Sequence, residues 1–212
     1  MAYSISLMRE EDIAQVAEID REAFPDMWPP TDYRRELKGR LAHYIAACDD
    51  ERPAEKPKAE TAGDEKPAGL VSRLRWHFLH GYRPDYEPPP ASRYILGFAG
   101  FWLMAGEAHI ISLAVRQSYR RRGIGELLLV SLINLAARLD AHLVTLEVRA
   151  SNTEAQSLYG KQGFVIKGLR RGYYSDNRED AVVMTLDDVA SGQYRARLSH
   201  LREALPRQAC PR

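Results

Sequence analysis

One strand–turn–helix segment limits what this chain can fold into more than any other part of the sequence. HIISLAV (109–115) has the apolar pattern of a β-strand, and Ile124–Leu139 repeats leucines at helical spacing. A short stretch containing SYRRRGIG (118–125) joins the two. A strand followed at once by a long helix, with further alternation after it, favours an α/β domain built around a mixed sheet.

The turn itself indicates an anion-binding site. Gly123 and Gly125 let the backbone bend tightly and approach a ligand without a Cβ, and a helix N-terminus attracts negative charge. The run Arg120–Arg122 adds three guanidinium groups, which suit phosphate. The turn matches neither the P-loop nor the dinucleotide fingerprint. A solvated arginine run between strand and helix is the alternative interpretation.

Hydrophobic periodicity predicts further elements on both sides of this segment. The prolines of AFPDMWPP (23–30) must end a first helix around Ile13–Ile19. Ser151 and Glu154 fit a capping box for a helix that Gly163 would terminate. We predict strands at 5–7, 43–48, 93–104, 109–115, 142–149, 164–169 and 180–186, a hairpin turn over 105–108, and helices at 32–39, 124–139 and 153–162.

Residues 49–92 differ from the rest of the chain and are predicted to form a flexible insertion. Their first half is almost wholly charged residues, Ala, Pro and Gly, which cannot repay the entropy of ordering. LVSRLRWHFLHGY (70–82) predicts an amphipathic helix. We favour packing of this helix on its own domain; a lid, an RNA-docking helix and a dimer contact are the alternatives. Residues 187–212 are predicted to be a C-terminal tail with helical spacing.

Composition and charge exclude several functional classes. Lys plus Arg is 30 and Asp plus Glu 29, and a net charge of +1 predicts no specific nucleic-acid partner. Cys48 and Cys210 predict no disulfide framework, and six histidines without ligand spacing predict no metal. No signal peptide and no apolar run of about eighteen residues occurs, so we expect a cytoplasmic protein that binds no membrane.

The turn and the segments after it resemble the GCN5-related N-acetyltransferases (GNAT), whose acetyl-coenzyme A motif is [RQ]-x-x-G-x-[GA]. Arg120, Gly123 and Gly125 occupy its defined positions. LEVRASNTEAQSLYGKQGF (146–164) and RRGYYSDNREDAVVMTL (170–186) are similar to bacterial enzymes that acetylate the N-terminal alanine of a small-subunit ribosomal protein. These segments also resemble the catalytic subunits of archaeal and eukaryotic N-terminal acetyltransferases.

The resemblance implies both the fold and the co-substrate. It predicts a single GNAT-like α/β domain, formed by residues 1–48 and 93–186, in which helices flank a mixed, mostly antiparallel twisted sheet. The co-substrate would be acetyl-coenzyme A. Asn152 matches an asparagine that contacts it. The pantetheine arm and acetyl carbonyl would contact the backbone of Leu113, Ala114 and Val115. The pyrophosphate would contact the backbone of Arg120, Arg121, Arg122, Gly123, Ile124 and Gly125.

The resemblance also implies roles for individual side chains. Glu147 matches the general base, and Tyr159 the general acid that meets the departing sulfur. Taken alone, Glu147 would more often be a cross-strand partner of Arg149 or another cation, and Tyr159 would more often be a tyrosine at the edge of the core. The substrate's first residues would be gripped by Phe24, Met27, Tyr173 and Tyr174. The family often has Pro in place of Gln117 and Glu in place of Gly160.

Amine chemistry is consistent with an N-terminal acceptor. An α-amino group has a pKa of about 7.7–8.0, so roughly a fifth is neutral at cytoplasmic pH. A lysine amine, at about 10.4, is neutral about one time in a thousand. We therefore expect direct transfer to the N-terminal amine of a protein or peptide, of the ribosomal-protein-alanine type, by a monomer or weak dimer. A lysine or small-molecule amine acetyltransferase and a non-catalytic acyl-coenzyme A-binding module are the alternatives.

Overall fold

A single sheet organises the part of the chain that the computed structural model describes, which is residues 3–25, 30–49, 52, 93–192, 194 and 196. The strands are β1 (Tyr3–Leu7), β2 (Ala42–Asp49), β3 (Tyr94–Met104), β4 (Glu107–Val115), β5 (Leu143–Arg149), β6 (Val165–Arg170) and β7 (Ala181–Asp187). The helices are α1 (Ile13–Ala23), α2 (Tyr33–Lys38), α3 (Ile124–Arg138) and α4 (Thr153–Gln162). The described helices include none long and apolar enough to cross a membrane.

The sheet is mixed and mostly antiparallel, as predicted. Its strand order is β1-β2-β3-β4-β5-β7-β6. Strand β4 pairs with β5 in parallel, and the other described pairs are antiparallel. The parallel pair is joined by the crossover through α3, the kind of connection that a parallel pair requires.

Alternating side chains divide the interior into two cores, one on each face of the sheet. Helices α1 and α2 cover one face, where Val16, Ile19 and Tyr33 pack with Phe98 of β3. Helix α3 covers the other, through its buried stripe of leucines and isoleucines, with Tyr159 of α4 in the same core. We call these the α1–α2 face and the α3 face.

The central strands separate part-way along their length, which opens a fork in the sheet. Parallel pairing joins Glu107–Ile110 to Leu143–Leu146 and then stops. Strand β4 continues to Val115 and β5 to Arg149. A β-bulge at Ile111 re-aims β4 at the point of separation, since Gly100 pairs with Ser112 and the next β3 residue with Ile110.

The predicted helices and strands agree with the observed ones to within a few residues, with two corrections. The hairpin turn is Ala105–Gly106 rather than 105–108, because both residues adopt left-handed backbone (φ 51° and 80°) that lets the two strands pair up to the turn. The N-cap of α4 is Asn152, not Ser151: its side chain accepts a hydrogen bond from the Ala155 amide. Gly163, at φ 99°, ends α4 as predicted.

Candidate functional site

The turn between β4 and α3 presents a row of unused backbone donors. Arg121 (φ 61°) and Gly123 (φ 80°) adopt left-handed backbone, which bends the chain into the helix. The amides of residues 121–126 donate to no acceptor among the described residues. Orphan amides at a helix N-terminus are an anion site. The donor set would suit a pyrophosphate, the ligand that the sequence analysis predicts for this turn.

The three arginines differ in how they are held. Arg120 Nε donates to the Val115 carbonyl at 3.1 Å, and Arg122 stacks over the Tyr119 ring, with its guanidinium carbon 4.8 Å from the centroid. Arg121 pairs with Glu154 at 3.0 Å, but both side chains are about 80% exposed (80% and 79%). Such an exposed pair is weak, so Arg121 can exchange its carboxylate for an incoming phosphate.

Glu147 lies where β5 leaves β4, at the mouth of the fork. Its side chain is only 6% exposed, because two cations cover it. Oε2 lies 2.5 Å from His109 Nε2, and Oε1 lies 2.8 Å from Arg170 Nη2. Glu147 therefore lies on the polar side of its strand, as expected. It also forms an ion pair with Arg170, the kind of contact that the alternative interpretation predicts.

Tyr159 is buried on the opposite face of the sheet, against Phe164 at a ring distance of 5.7 Å. Its hydroxyl has no hydrogen-bond partner in the part of the chain that the structure describes. Burial raises the pKa of Tyr159 to about 12, with a smaller contribution from Tyr174. A phenol that stays protonated and lacks an acceptor is suited to donate a hydrogen bond to an arriving anion.

The fork thus has a base on one face and an acid on the other. Tyr159 belongs to the α3 face, as do Val144, Leu146 and Val148 of β5. Glu147 alternates with those residues, so it points to the α1–α2 face, and His109 does so by the same alternation on β4. A group placed between the diverging strands would meet both.

The β6–β7 connection is held against the end of β5 by Arg149. Its guanidinium reaches Asp176 at 2.8 Å and Glu179 at 3.2 Å, and its carbon lies 3.9 Å from the Tyr174 ring centroid. Hydrogen bonds from Ser151, whose amide donates at 2.7 Å, lower the pKa of Glu179 to about 2. We call these five residues the loop clamp.

The loop clamp brings the two predicted substrate tyrosines to the site. Tyr173 and Tyr174 contact each other edge to face at 5.3 Å, and Arg170 lies 5.5 Å from the Tyr173 centroid. Burial raises the pKa of Tyr174; Arg149 opposes that effect and Glu147 adds to it. The tyrosine pair is therefore an electrostatic neighbour of the carboxylate.

The remaining predicted residues lie around this centre. Phe24 follows α1 directly and packs on the α1–α2 core, whereas Met27 lies outside the described residues. Helix α1 contacts the start of the anion-binding turn, because Glu22 accepts the Gln117 amide at 2.6 Å. A proline at position 117 would lack this donor. Leu113 and Val115 point to the α3 face and Ala114 to the other.

Sequence reasoning missed His109, Arg170 and the anchoring role of Arg149. His109 stands in a strand of apolar residues, and its chemistry depends on a partner 38 positions away. The signal that could have found it is a histidine on the same strand face as a carboxylate of the neighbouring strand. Within the described ranges, no group of three His, Cys, Asp or Glu could hold a metal.

The α/β fold, with a fork between two central strands beside a helix N-terminus, is joined by direct comparisons with known proteins. The family model described as Acetyltransferase (GNAT) family matches residues 55–164. The chain belongs to this family and is a GNAT N-acetyltransferase. Members of the family use acetyl-coenzyme A.

Similar proteins include several with narrower names. A Bacillus subtilis protein named provisionally as a [ribosomal protein bS18]-alanine N-acetyltransferase is 31% identical, over 84% of this chain and 90% of its own length. An N-alpha-acetyltransferase of Sulfurisphaera tokodaii is 31% identical over 86% and 91%. The crystal structure of the Escherichia coli ribosomal-protein-S18-alanine N-acetyltransferase aligns with TM-score 0.63 at 23% identity, covering 90% and 97%.

Proposed function

We propose that this protein is an N-alpha-acetyltransferase that transfers an acetyl group from acetyl-coenzyme A to the N-terminal amine of a protein, by direct transfer in a ternary complex. The observation that carries the proposal is the fork with Glu147 on one face and Tyr159 on the other. The names of the relatives favour a protein N-terminus as acceptor, and a ribosomal protein among such substrates.

Acetyl-coenzyme A supplies an acyl thioester and a thiol leaving group. The free amides of residues 121–126, with Arg121, bind its pyrophosphate. The backbone of Leu113, Ala114 and Val115 lines the β4 side of the fork and holds the pantetheine arm and acetyl carbonyl. Asn152 uses Oδ1 to cap α4, and its amide nitrogen is the donor proposed to contact the co-substrate.

Glu147 takes the proton that the α-ammonium group must lose. His109, in contact with Oε2, can accept a proton in turn, and Arg170 keeps the other oxygen oriented. A single carboxylate is an adequate base for an α-amine, because roughly a fifth of that amine is already neutral at cytoplasmic pH.

Tyr159 is proposed to stabilise the departing thiolate on the α3 face. Its pKa of about 12 keeps the phenol protonated. Because that pKa lies above the ordinary value of about 8.5 for a thiol, the phenol donates a hydrogen bond to the thiolate and keeps its proton, and the released thiolate is protonated by solvent. Direct transfer requires no acyl-enzyme. Phe24, Tyr173 and Tyr174 are proposed to hold the acceptor's first residues; Met27, outside the described residues, remains a prediction from sequence.

Mass spectrometry of peptides incubated with the enzyme and acetyl-coenzyme A tests the proposal. The panel begins Ala-Arg, Ser or Met-Leu, and each peptide has an N-terminally blocked copy with an internal lysine. We expect a mass gain only on free N-termini. Gain on the blocked copies would replace the proposal with a lysine acetyltransferase. No gain with cofactor binding intact would favour a small-molecule amine or a non-catalytic module.

A further inference from the structure

Ser112, on β4, has a buried hydroxyl that no described residue satisfies. Its Oγ is shielded from solvent and forms no hydrogen bond within the described part of the chain. A buried unpaired hydroxyl costs stability, and native proteins rarely keep one without a function or a missing partner. A comparable hydroxyl on the neighbouring strand is paired, because Thr145 Oγ1 contacts the Met184 carbonyl at 3.3 Å and Thr185 Oγ1 at 3.2 Å.

The position of Ser112 in the sheet decides which way this hydroxyl points. Ser112 pairs with Gly100 across the antiparallel β3–β4 ladder, and directly opposed residues share a face. A Cβ on Gly100 would meet the Tyr44 ring at 2.3 Å, and Tyr44 belongs to the α1–α2 core. Ser112 therefore faces the α1–α2 side of the sheet.

That side is the one on which Glu147 and His109 lie. Ser112 follows the bulge at Ile111, on the part of β4 that has already left β5. The hydroxyl and the Glu147 carboxylate thus stand on opposite walls of the fork, on one face. Tyr159 is on the other face. Ser112 therefore lies on the face where the proposed base meets the amine, and not on the face where the thiol leaves.

We propose that Ser112 Oγ accepts an N–H of the acceptor's α-amine and so positions the nucleophile, an inference that rests on the proposed function. An α-ammonium group carries three N–H bonds. Glu147 removes one proton, Ser112 accepts a hydrogen bond from a second N–H, and the freed lone pair is then directed between the two walls. Ser112 is a substrate-positioning residue whose hydroxyl is covered in this structure and gains its hydrogen-bond partner when the acceptor enters the fork and displaces the cover.

The test compares Ser112→Ala with Ser157→Ala, using an Ala-Arg peptide as acceptor. The Ser157 hydroxyl is paired with the Thr153 carbonyl at 2.7 Å on the exposed side of α4, which makes it a matched control. We expect Ser112→Ala to lower kcat/KM for the peptide about tenfold, the size of one hydrogen bond to a charged group. The Kd of acetyl-coenzyme A should not change, and Tm should stay equal or rise. Ser157→Ala should match the wild type.

A second acceptor separates positioning from a structural effect. A peptide beginning with N-methylalanine has one N–H fewer, so wild type should discriminate against it more strongly than Ser112→Ala does. Unchanged kcat/KM in Ser112→Ala, a fall in its Tm, or equal discrimination by both enzymes would each overturn the inference. If wild type acetylates no free N-terminus, the proposed function itself fails and the inference with it.

Discussion

At the scale of single residues, the environment of Glu147 decides what this carboxylate can do. It is nearly buried, yet both oxygens have cationic partners, His109 and Arg170. These two contacts fix the orientation of the carboxylate and offset the cost of burying it. A carboxylate held in contact with an imidazole has a neighbour that can relay a proton.

Glu147→Gln tests the base. The amide keeps the shape of the side chain but has only one acceptor oxygen for the two partners and cannot take up a proton, so we expect kcat to fall about 100–1000-fold. Calorimetry should give an unchanged Kd for acetyl-coenzyme A. Glu107→Gln, at the far end of β4 and exposed, is the control and should behave as wild type. A Glu147→Gln variant retaining more than about a tenth of kcat would contradict the assignment.

Tyr159→Phe tests the acid. Because burial raises the pKa of Tyr159 to about 12, the phenol is protonated throughout the neutral and mildly alkaline range. We therefore expect kcat to fall at least about tenfold, while the alkaline limb of the pH–rate profile keeps its midpoint, since Tyr159 does not cause it. Tyr194→Phe removes a buried hydroxyl that donates to the Gln162 carbonyl outside the fork and serves as control. A shift of the alkaline limb in Tyr159→Phe would show that Tyr159 titrates in the working range.

At the scale of elements, alanine substitutions at two exposed glycines should change the free energy of unfolding in opposite directions. Gly123 has φ 80° at the start of α3, whereas Gly160 lies inside α4, and an added Cβ meets nothing within 4 Å at either position. Gly123→Ala should cost about 1–2 kcal/mol because of its left-handed backbone, and should weaken acetyl-coenzyme A binding. Gly160→Ala should gain about 0.5–1 kcal/mol. Urea unfolding and calorimetry measure both, and equal effects at the two positions would refute this account.

The loop clamp gives a second prediction at this scale, which concerns pH and the peptide KM. Hydrogen bonds from Ser151 and Arg149 hold the pKa of Glu179 near 2. Because this pKa is lower when folded, the clamp's contribution is present above the unfolded pKa of about 4.3 and is lost as pH falls toward 2. Glu179→Gln should therefore raise the peptide KM several-fold at pH 7 without changing the Kd of acetyl-coenzyme A. An unchanged peptide KM would separate the loop from substrate binding.

Elements were predictable because their signals are local. The spacing of leucines in α3 and the apolar runs of β3 and β4 report which side chains are buried, and Gly163 reports the end of α4. The errors were local as well. Asn152 and Ser151 are both good caps, and the choice between them depends on where β5 ends, which is set by its pairing with β7.

At the scale of the whole molecule, we expect that a linker can replace residues 53–91, because the described members of both cores come from other parts of the chain. Asp49 and Tyr94 are paired at the adjoining ends of β2 and β3, so a short Gly/Ser linker closes the gap at small entropic cost. Arg52 and Arg93 are retained, because Arg52 contacts Tyr119 at 2.7 Å and Arg93 pairs with Asp12 at 2.5 Å. We expect a folded variant with Tm and acetyl-coenzyme A affinity near those of wild type. Loss of folding would place these residues within the domain.

The base and acid candidates came from the family resemblance, whereas the sequence by itself determined the class of fold and the place of the glycine- and arginine-rich turn. Each of these depends on a few neighbouring residues or on one strand–turn–helix segment, and their physics is local: periodicity, backbone freedom at Gly123 and charge at Arg120–Arg122. Strand alternation even indicated the polar side of β5 on which Glu147 lies.

Only the tertiary structure decided which side chains contact one another. Which strands flank β5, where β4 and β5 separate, and which face each side chain reaches are set by pairings between distant segments. These pairings put His109 against Glu147, Arg149 against the β6–β7 loop, and the unpaired hydroxyl of Ser112 on the α1–α2 face of the fork. Hydrogen bonds and burial depend on distance in space, which the order of residues along a chain does not contain.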